Sequence, residues 1–242
     1  MTIFDKEPFP ASGTVGGQLP GMHRVFNGAR PERVCLTVSD DATGSGARWA
    51  TVIEKVTEHL VKEMEQRFVA VKWDYVAMRD MDIGEEDEYR LRGGTGADLL
   101  REQKLIKRTG GGDAPETFAR TVENLLSDPG WNVYTGALEA LGLVKFTTSD
   151  TRPALYNSLV ELGEELKNRK IKLFVIGTPG TNMEELVRAA DGFFFPLNVN
   201  PPDAEAREIV AKLAATVKTT MGGAVTGRGT AGVGGTAPFD RA

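Results

Sequence analysis

VCLTVSDDATGSGARW, residues 34–49, carries an apolar run into a string of oxygen-bearing side chains and then into a helix-like stretch. A buried strand should not end in Asp40, Asp41, Thr43 and Ser45 unless something compensates their polar groups. Asp41, Thr43 and Ser45 stand at i, i+2 and i+4. In an irregular loop that spacing can turn three oxygens toward one point, which suits a hard cation. A purely local alternative exists. Ser, Thr and Asp are the usual helix N-caps, and a helix begins near Ala47.

Outward from this stretch, strand-like and helix-like segments alternate. RVCLTVS, DYVAMRD, EYRLR, LGLVKFTTS, IKLFVIG and GFFFPLN read as strands. ARWATVIEKVTEHLVKEMEQR places Trp49, Val52, Ile53, Val56, Leu60 and Met64 at helical spacing. GADLLREQKLIKR, APETFARTVENLLS, ALYNSLVELGEELKNR, NMEELVRAA and DAEAREIVAKLAATVKTT are further helices. Such alternation predicts an α/β fold: a mostly parallel, Rossmann-like central sheet with helices on both faces. The short polar EYRLR is placed as an antiparallel edge strand. In open sheets of this kind the site lies at the carboxyl ends of the strands, near the switch in strand order.

Two more loops bring oxygen ligands to such ends. TGGGDAPE leads Gly110, Gly111 and Gly112 into Asp113, and KFTTSDTRP ends a strand in Thr147, Thr148, Ser149 and Asp150. Carboxylates and hydroxyls without His or Cys suit Mg²⁺, Mn²⁺ or Ca²⁺ rather than Zn²⁺.

D-A-T-G-S-G after an apolar strand resembles the D-x-S-x-S motif of the von Willebrand factor A (VWA) domain family, with Thr43 in place of the first Ser. The resemblance runs from about Arg33 to Thr220. It implies a VWA fold with a variant of the metal-ion-dependent adhesion site (MIDAS). Its metal ligands would be Asp41, Thr43, Ser45, Asp113 and Asp150. Asp113 falls where the family's second-loop Thr usually sits, and Asp150 matches its third-loop Asp. TGGGDAPE looks like the GGGDxPE variant of bacterial and kinase-linked members, and Arg79-Asp80-Met81-Asp82 resembles their RD-x-D. Thr43 keeps the hydroxyl. Asp113 adds a negative charge, which should raise divalent-ion affinity and make the bound ion less attractive to a partner's carboxylate. The third loop lacks the common Asp-Gly and reads Asp150-Thr151-Arg152-Pro153.

Composition bounds the rest. The chain has 242 residues, 40% of them hydrophobic and 26% charged, with a net charge of −5. The acidic balance argues against nucleic acid as the main partner. No apolar run reaches the ~18–20 residues of a membrane span. The N-terminal MTIFDKEPFPASG has no secretory pattern. Cys35 is the single cysteine and reads as a small core residue in a reducing cytoplasm. Residues 1–30 form an irregular arm, 31–220 the VWA-like domain, and 221–242 a flexible Gly-rich tail.

Smaller features have plain readings. GTPGTNMEE is a strand-to-helix turn without the Lys-Ser/Thr of a P-loop, and GGTGAD starts a helix. The acidic run Gly84–Glu88 is a solvated hairpin tip. His23 and His59 receive no role. Phe193, Phe194 and Phe195 are core residues, with Phe194 on the face opposite its neighbours.

Three functions remain. The first is a non-enzymatic, divalent-metal-dependent scaffold or adaptor, whose partner protein offers an acidic residue to Mg²⁺, Ca²⁺ or Mn²⁺, as the resemblance implies. The second is a Mg²⁺-dependent phosphatase of the haloacid dehalogenase type. It needs D-x-D-x-T, whereas here Asp40 and Asp41 are adjacent. The third is an assembly subunit with a vestigial metal site.

Overall fold

The computed structural model describes residues 33–68, 70–111, 117–131, 141–147, 150–197 and 203–223. The arm and nearly all of the tail lie outside that set, as does Asp113. Six strands form one sheet: β1 (Arg33–Asp41), β2 (Ala70–Met78), β3 (Glu88–Gly94), β4 (Leu141–Thr147), β5 (Lys172–Gly177) and β6 (Phe193–Pro196). Their spatial order is β3-β2-β1-β4-β5-β6. β3 is antiparallel to β2 at one edge, and the remaining pairs are parallel. The chain runs outward from β1 on one side and resumes beside β1 with β4. The switch in strand order therefore lies between β1 and β4, where the first and third loops leave the sheet.

The helices are α1 (Ala50–Arg67), α2 (Gly96–Leu105), α3 (Phe118–Ser127), α4 (Leu159–Asn168), α5 (Met183–Ala189) and α6 (Asp203–Gly223). Strand alternation divides the core in two. Leu36, Val38, Trp73, Tyr75 and Phe174 face α1, α2 and α6, with Ile53, Leu60, Leu99 and Leu213 packed on them. Cys35, Val76, Met78, Leu173 and Val175 face α3, α4 and α5. Phe193 and Phe195 join the first layer and Phe194 the second, as alternation predicts. Phe193 stacks on Phe174 with ring centroids 5.7 Å apart. GGTGAD does start a helix: Thr95 accepts from the Asp98 amide, and Asp98 answers the Thr95 amide in a capping box. Among the described residues no helix is long and apolar enough to cross a membrane.

Three boundaries differ from the sequence reading. β1 continues through Asp41, because its parallel pairing with β2 persists to Asp41 opposite Met78. β2 stops at Met78, before Arg79 and Asp80 turn away. α4 starts at Leu159 rather than near Ala154. The amides of Ala154, Leu155 and Tyr156 instead donate to the buried Glu123 carboxylate at 2.8–3.1 Å, and Ser158 caps the helix that follows.

Asp74 is a carboxyl in the middle of the sheet. The Gly93 amide donates to it at 2.7 Å, the Thr37 hydroxyl at 3.4 Å and the Cys35 thiol at 3.8 Å. Burial pushes its pKa from 3.8 to about 6, relieved only in part by the Gly93 amide, the Thr37 hydroxyl, the Arg92 charge and the Cys35 thiol. Between these values the folded chain binds more protons than the unfolded one, so stability from this group falls as pH rises. The loss accrues from about pH 4 to about pH 6 and is complete above that. Asp74→Asn should remove it, leaving the variant about 2–3 kcal/mol more stable relative to wild type at pH 7 than at pH 4. Urea denaturation across that range measures the difference, and parallel pH profiles would show that Asp74 does not titrate there.

Candidate metal site at the carboxyl end of the sheet

Asp41 ends β1 with its side chain 1% exposed. Its Oδ1 accepts from the Thr43 amide at 2.9 Å and from the Thr43 hydroxyl at 2.5 Å. Thr43 Oγ1 lies 2.7 Å from Ser45 Oγ, and Ser45 Oγ lies 3.4 Å from Asp41 Oδ2. The three side chains thus converge on one another. None of them caps the helix beyond. Gly44 precedes a short 3-10 turn, Ser45–Trp49, and Trp49 precedes α1, both without a side-chain cap bond. The local alternative of helix capping is therefore set aside.

Glycine makes the convergence possible. A Cβ on Gly46 would lie 2.1 Å from the Asp41 carbonyl oxygen and 2.8 Å from Asp41 Cγ. Gly111 has φ +73° and would place a Cβ 2.7 Å from Thr43 Cβ. The second loop lies directly on the first, joined by Gly44 N–H to Gly110 O at 2.9 Å and Thr109 N–H to Ala42 O at 3.2 Å. The segment holding Asp113 follows immediately and is outside the described residues.

The adjacent acid has a different fate. Successive strand residues point to opposite faces, so Asp40 turns into the layer under α1 and α2 while Asp41 stays at the strand end. Asp40 is fully buried and accepts both guanidinium arms of Arg108, at 3.2 and 3.1 Å. Tyr75 donates to it at 3.0 Å and Gln103 at 3.0 Å. Arg108 also donates to the Asp41 carbonyl at 2.6 Å. Burial, and next the charge of Asp40, hold the Tyr75 phenol well above its ordinary pKa.

The third loop is fastened from behind. Asp150 is exposed, and its Oδ1 accepts from the Asn182 amide at 2.7 Å. Asn182 exchanges side-chain bonds with the Thr151 backbone at 2.8 and 2.7 Å, and the Thr151 hydroxyl accepts from the Ala119 amide at 2.8 Å. GTPGTNMEE is thus a strand-to-helix turn that also clips the Asp150 loop. Asp80 is buried and accepts from the Asp82 amide, while Asp82 pairs with Arg120 at 2.7 Å and Arg152 at 3.1 Å. Arg108, Gln103, Glu123 and Asn182 escaped the sequence reading, since nothing near them in the chain marks their roles.

The donor set at the first loop is one carboxylate and two hydroxyls, all hard oxygens, which fits Mg²⁺, Mn²⁺ or Ca²⁺. Among the described residues no group of three or more His, Cys, Asp or Glu side chains is arranged to hold a metal. A complete shell would thus use the hydroxyls and ligands beyond those residues.

The strand order with β1 central and β3 antiparallel, together with this loop at its end, recurs in solved structures. The fold is that of a VWA domain. Proximal thread matrix protein 1 from the mussel byssus superimposes with a TM-score of 0.54 at 11% identity over 78% of this chain and 46% of that one. The same protein with a zinc-occupied MIDAS motif gives 0.52 at 12% identity, over 76% and 46%. The SpRpn10 VWA domain gives 0.52 at 8% identity, over 75% of this chain and 95% of that one. The chain spans under half the length of the mussel protein and nearly all of the SpRpn10 domain. No protein-family profile and no curated protein matches the sequence. These identities speak for the VWA fold and not for a shared activity.

Proposed function

We propose that this VWA-fold chain is a divalent-metal-dependent protein-binding module, a scaffold or adaptor, built on a variant MIDAS. The observation that carries the reading is the convergence of Asp41, Thr43 and Ser45 at a strand end, with no helix-capping role to account for them. In the proposal Asp113 and Asp150 complete the metal's surroundings, directly or through water. The bound ion then accepts a carboxylate from a partner protein. The zinc-occupied MIDAS of the mussel protein is a precedent for a metal on this fold. Binding rather than catalysis is favoured because Asp40, the second acid of the doublet, is held by Arg108, Tyr75 and Gln103.

Mn²⁺ titration followed by electron paramagnetic resonance tests the site, and acetate serves as a surrogate for the partner's carboxylate. Wild type should bind one Mn²⁺ and then acetate, with acetate displacing metal-bound water. A protein that takes up no Mn²⁺ would end the proposal. Asp113→Thr restores the commoner pattern and removes one carboxylate. It should weaken Mn²⁺ about tenfold or more, a loss of ~1.4 kcal/mol, while tightening acetate on the ion that is bound. Unchanged Mn²⁺ affinity would place Asp113 away from the ion.

A further inference from the structure

We infer that Arg79 is a positioning residue that staples the metal loop to the glycine loop beside it. Its Nη1 donates to the Ala42 carbonyl at 2.7 Å and to the Thr109 carbonyl at 3.1 Å. Ala42 sits between Asp41 and Thr43, and Thr109 opens the TGGG turn. One nitrogen therefore bridges both loops. It does so beside the two direct bonds between them, Thr109 N–H to Ala42 O and Gly44 N–H to Gly110 O.

The rest of the residue is equally engaged. Nε donates to Glu88 Oε1 at 2.9 Å, and Nη2 pairs closely with the same oxygen. The Arg79 amide donates to Asp87 at 3.0 Å, and its carbonyl accepts from the Thr117 hydroxyl at 2.5 Å, just before α3. Glu85, next in the acidic turn, accepts from the Asp80 amide at 3.2 Å and lies over Gly110. Of the four acids in Gly84–Glu88 only Glu86 is fully exposed. The run read from sequence as a solvated tip is mostly a socket for Arg79 and the turn after it.

Glu88 neutralises the guanidinium, so the contribution of Arg79 to the site is direction rather than charge. A planar fork can serve two carbonyls and a carboxylate on different sides at once, whereas a lysine ammonium is a single point. With Ala42 held, Asp41 and Thr43 on either side of it keep their oxygens turned together. The link to metal rests on the function proposed above, but the staple itself does not.

The test uses the full chain and Arg79→Lys, which keeps the charge and loses the fork. Amide exchange is followed by NMR without metal. The Gly44 and Thr109 amides should exchange at least tenfold faster, while β1 amides such as Leu36 and Val38 stay protected. Full protection of Gly44 and Thr109 in a folded variant would overturn the inference. Glu88→Gln, which only loosens the socket, should accelerate the same two amides to a smaller degree, and no acceleration there counts against the staple. Mn²⁺ affinity of Arg79→Lys should fall at least tenfold. If wild type binds Mn²⁺ and the variant binds it within twofold, Arg79 does not position the ligands. If wild type binds no Mn²⁺, the proposed function fails, and the exchange data alone decide the staple.

Discussion

Asp41→Ala should abolish the thermal stabilisation that Mg²⁺ or Mn²⁺ confers on the wild-type protein. Asp41 is the one charged ligand of the first loop. It also organises the other two, because the Thr43 amide, the Thr43 hydroxyl and the Ser45 hydroxyl all donate to it. A hydroxyl that gives its proton to a carboxylate keeps its lone pairs for a cation. Losing Asp41 removes the charge and the orientation together. A fall in affinity of about a thousandfold, ~4 kcal/mol, follows. Metal at roughly a hundred times its wild-type Kd stabilises the native state by about 2.7 kcal/mol, and the variant should lose nearly all of that. Thr43→Ser keeps the hydroxyl and should retain the metal response. Melting curves with metal and with chelator on all three proteins decide the matter. Equal responses in wild type and Asp41→Ala would mean that the first loop is not the metal site.

Arg108→Met should destabilise the fold by about 3–5 kcal/mol, because it leaves the Asp40 carboxylate buried without its counter-charge. The pair is enclosed, with side-chain exposures of 6% for Arg108 and 0% for Asp40. Tyr75 and Gln103 would still donate to Asp40, but neutral donors do not replace a bidentate guanidinium. Asp40→Asn combined with Arg108→Met removes the stranded charge and should recover part of the loss. Urea denaturation of the single and double variants measures both. A loss under about 1 kcal/mol in Arg108→Met would show that Asp40 can shed its charge or reach water there. Since Arg108 also holds the Asp41 carbonyl, the single variant should bind metal more weakly even where it remains folded.

The sheet, the helices on both faces and the antiparallel edge were all legible, because each rests on a local pattern. Alternation marks the strands, the spacing of Ile53, Val56, Leu60 and Met64 marks α1, and Thr95 with Asp98 marks a helix start. The oxygen-rich loop was legible for the same reason, since Asp41, Thr43 and Ser45 fall within five consecutive residues. Sequence alone could not separate Asp40 from Asp41, nor convergence of the loop oxygens from helix capping. Those depend on which way each side chain leaves the strand end and on what meets it there. Asp40 is claimed by Arg108, 68 positions away, and the Asp150 loop by Asn182 and Glu123, 32 and about 31 away. Such partners leave no periodicity in the chain. An arginine in KLIKRTGGG looks like any surface arginine until the fold seals it against a buried acid. Local sequence therefore determined the elements and the ligand-rich loop, whereas tertiary burial decided which polar residues hold the structure and which face the site.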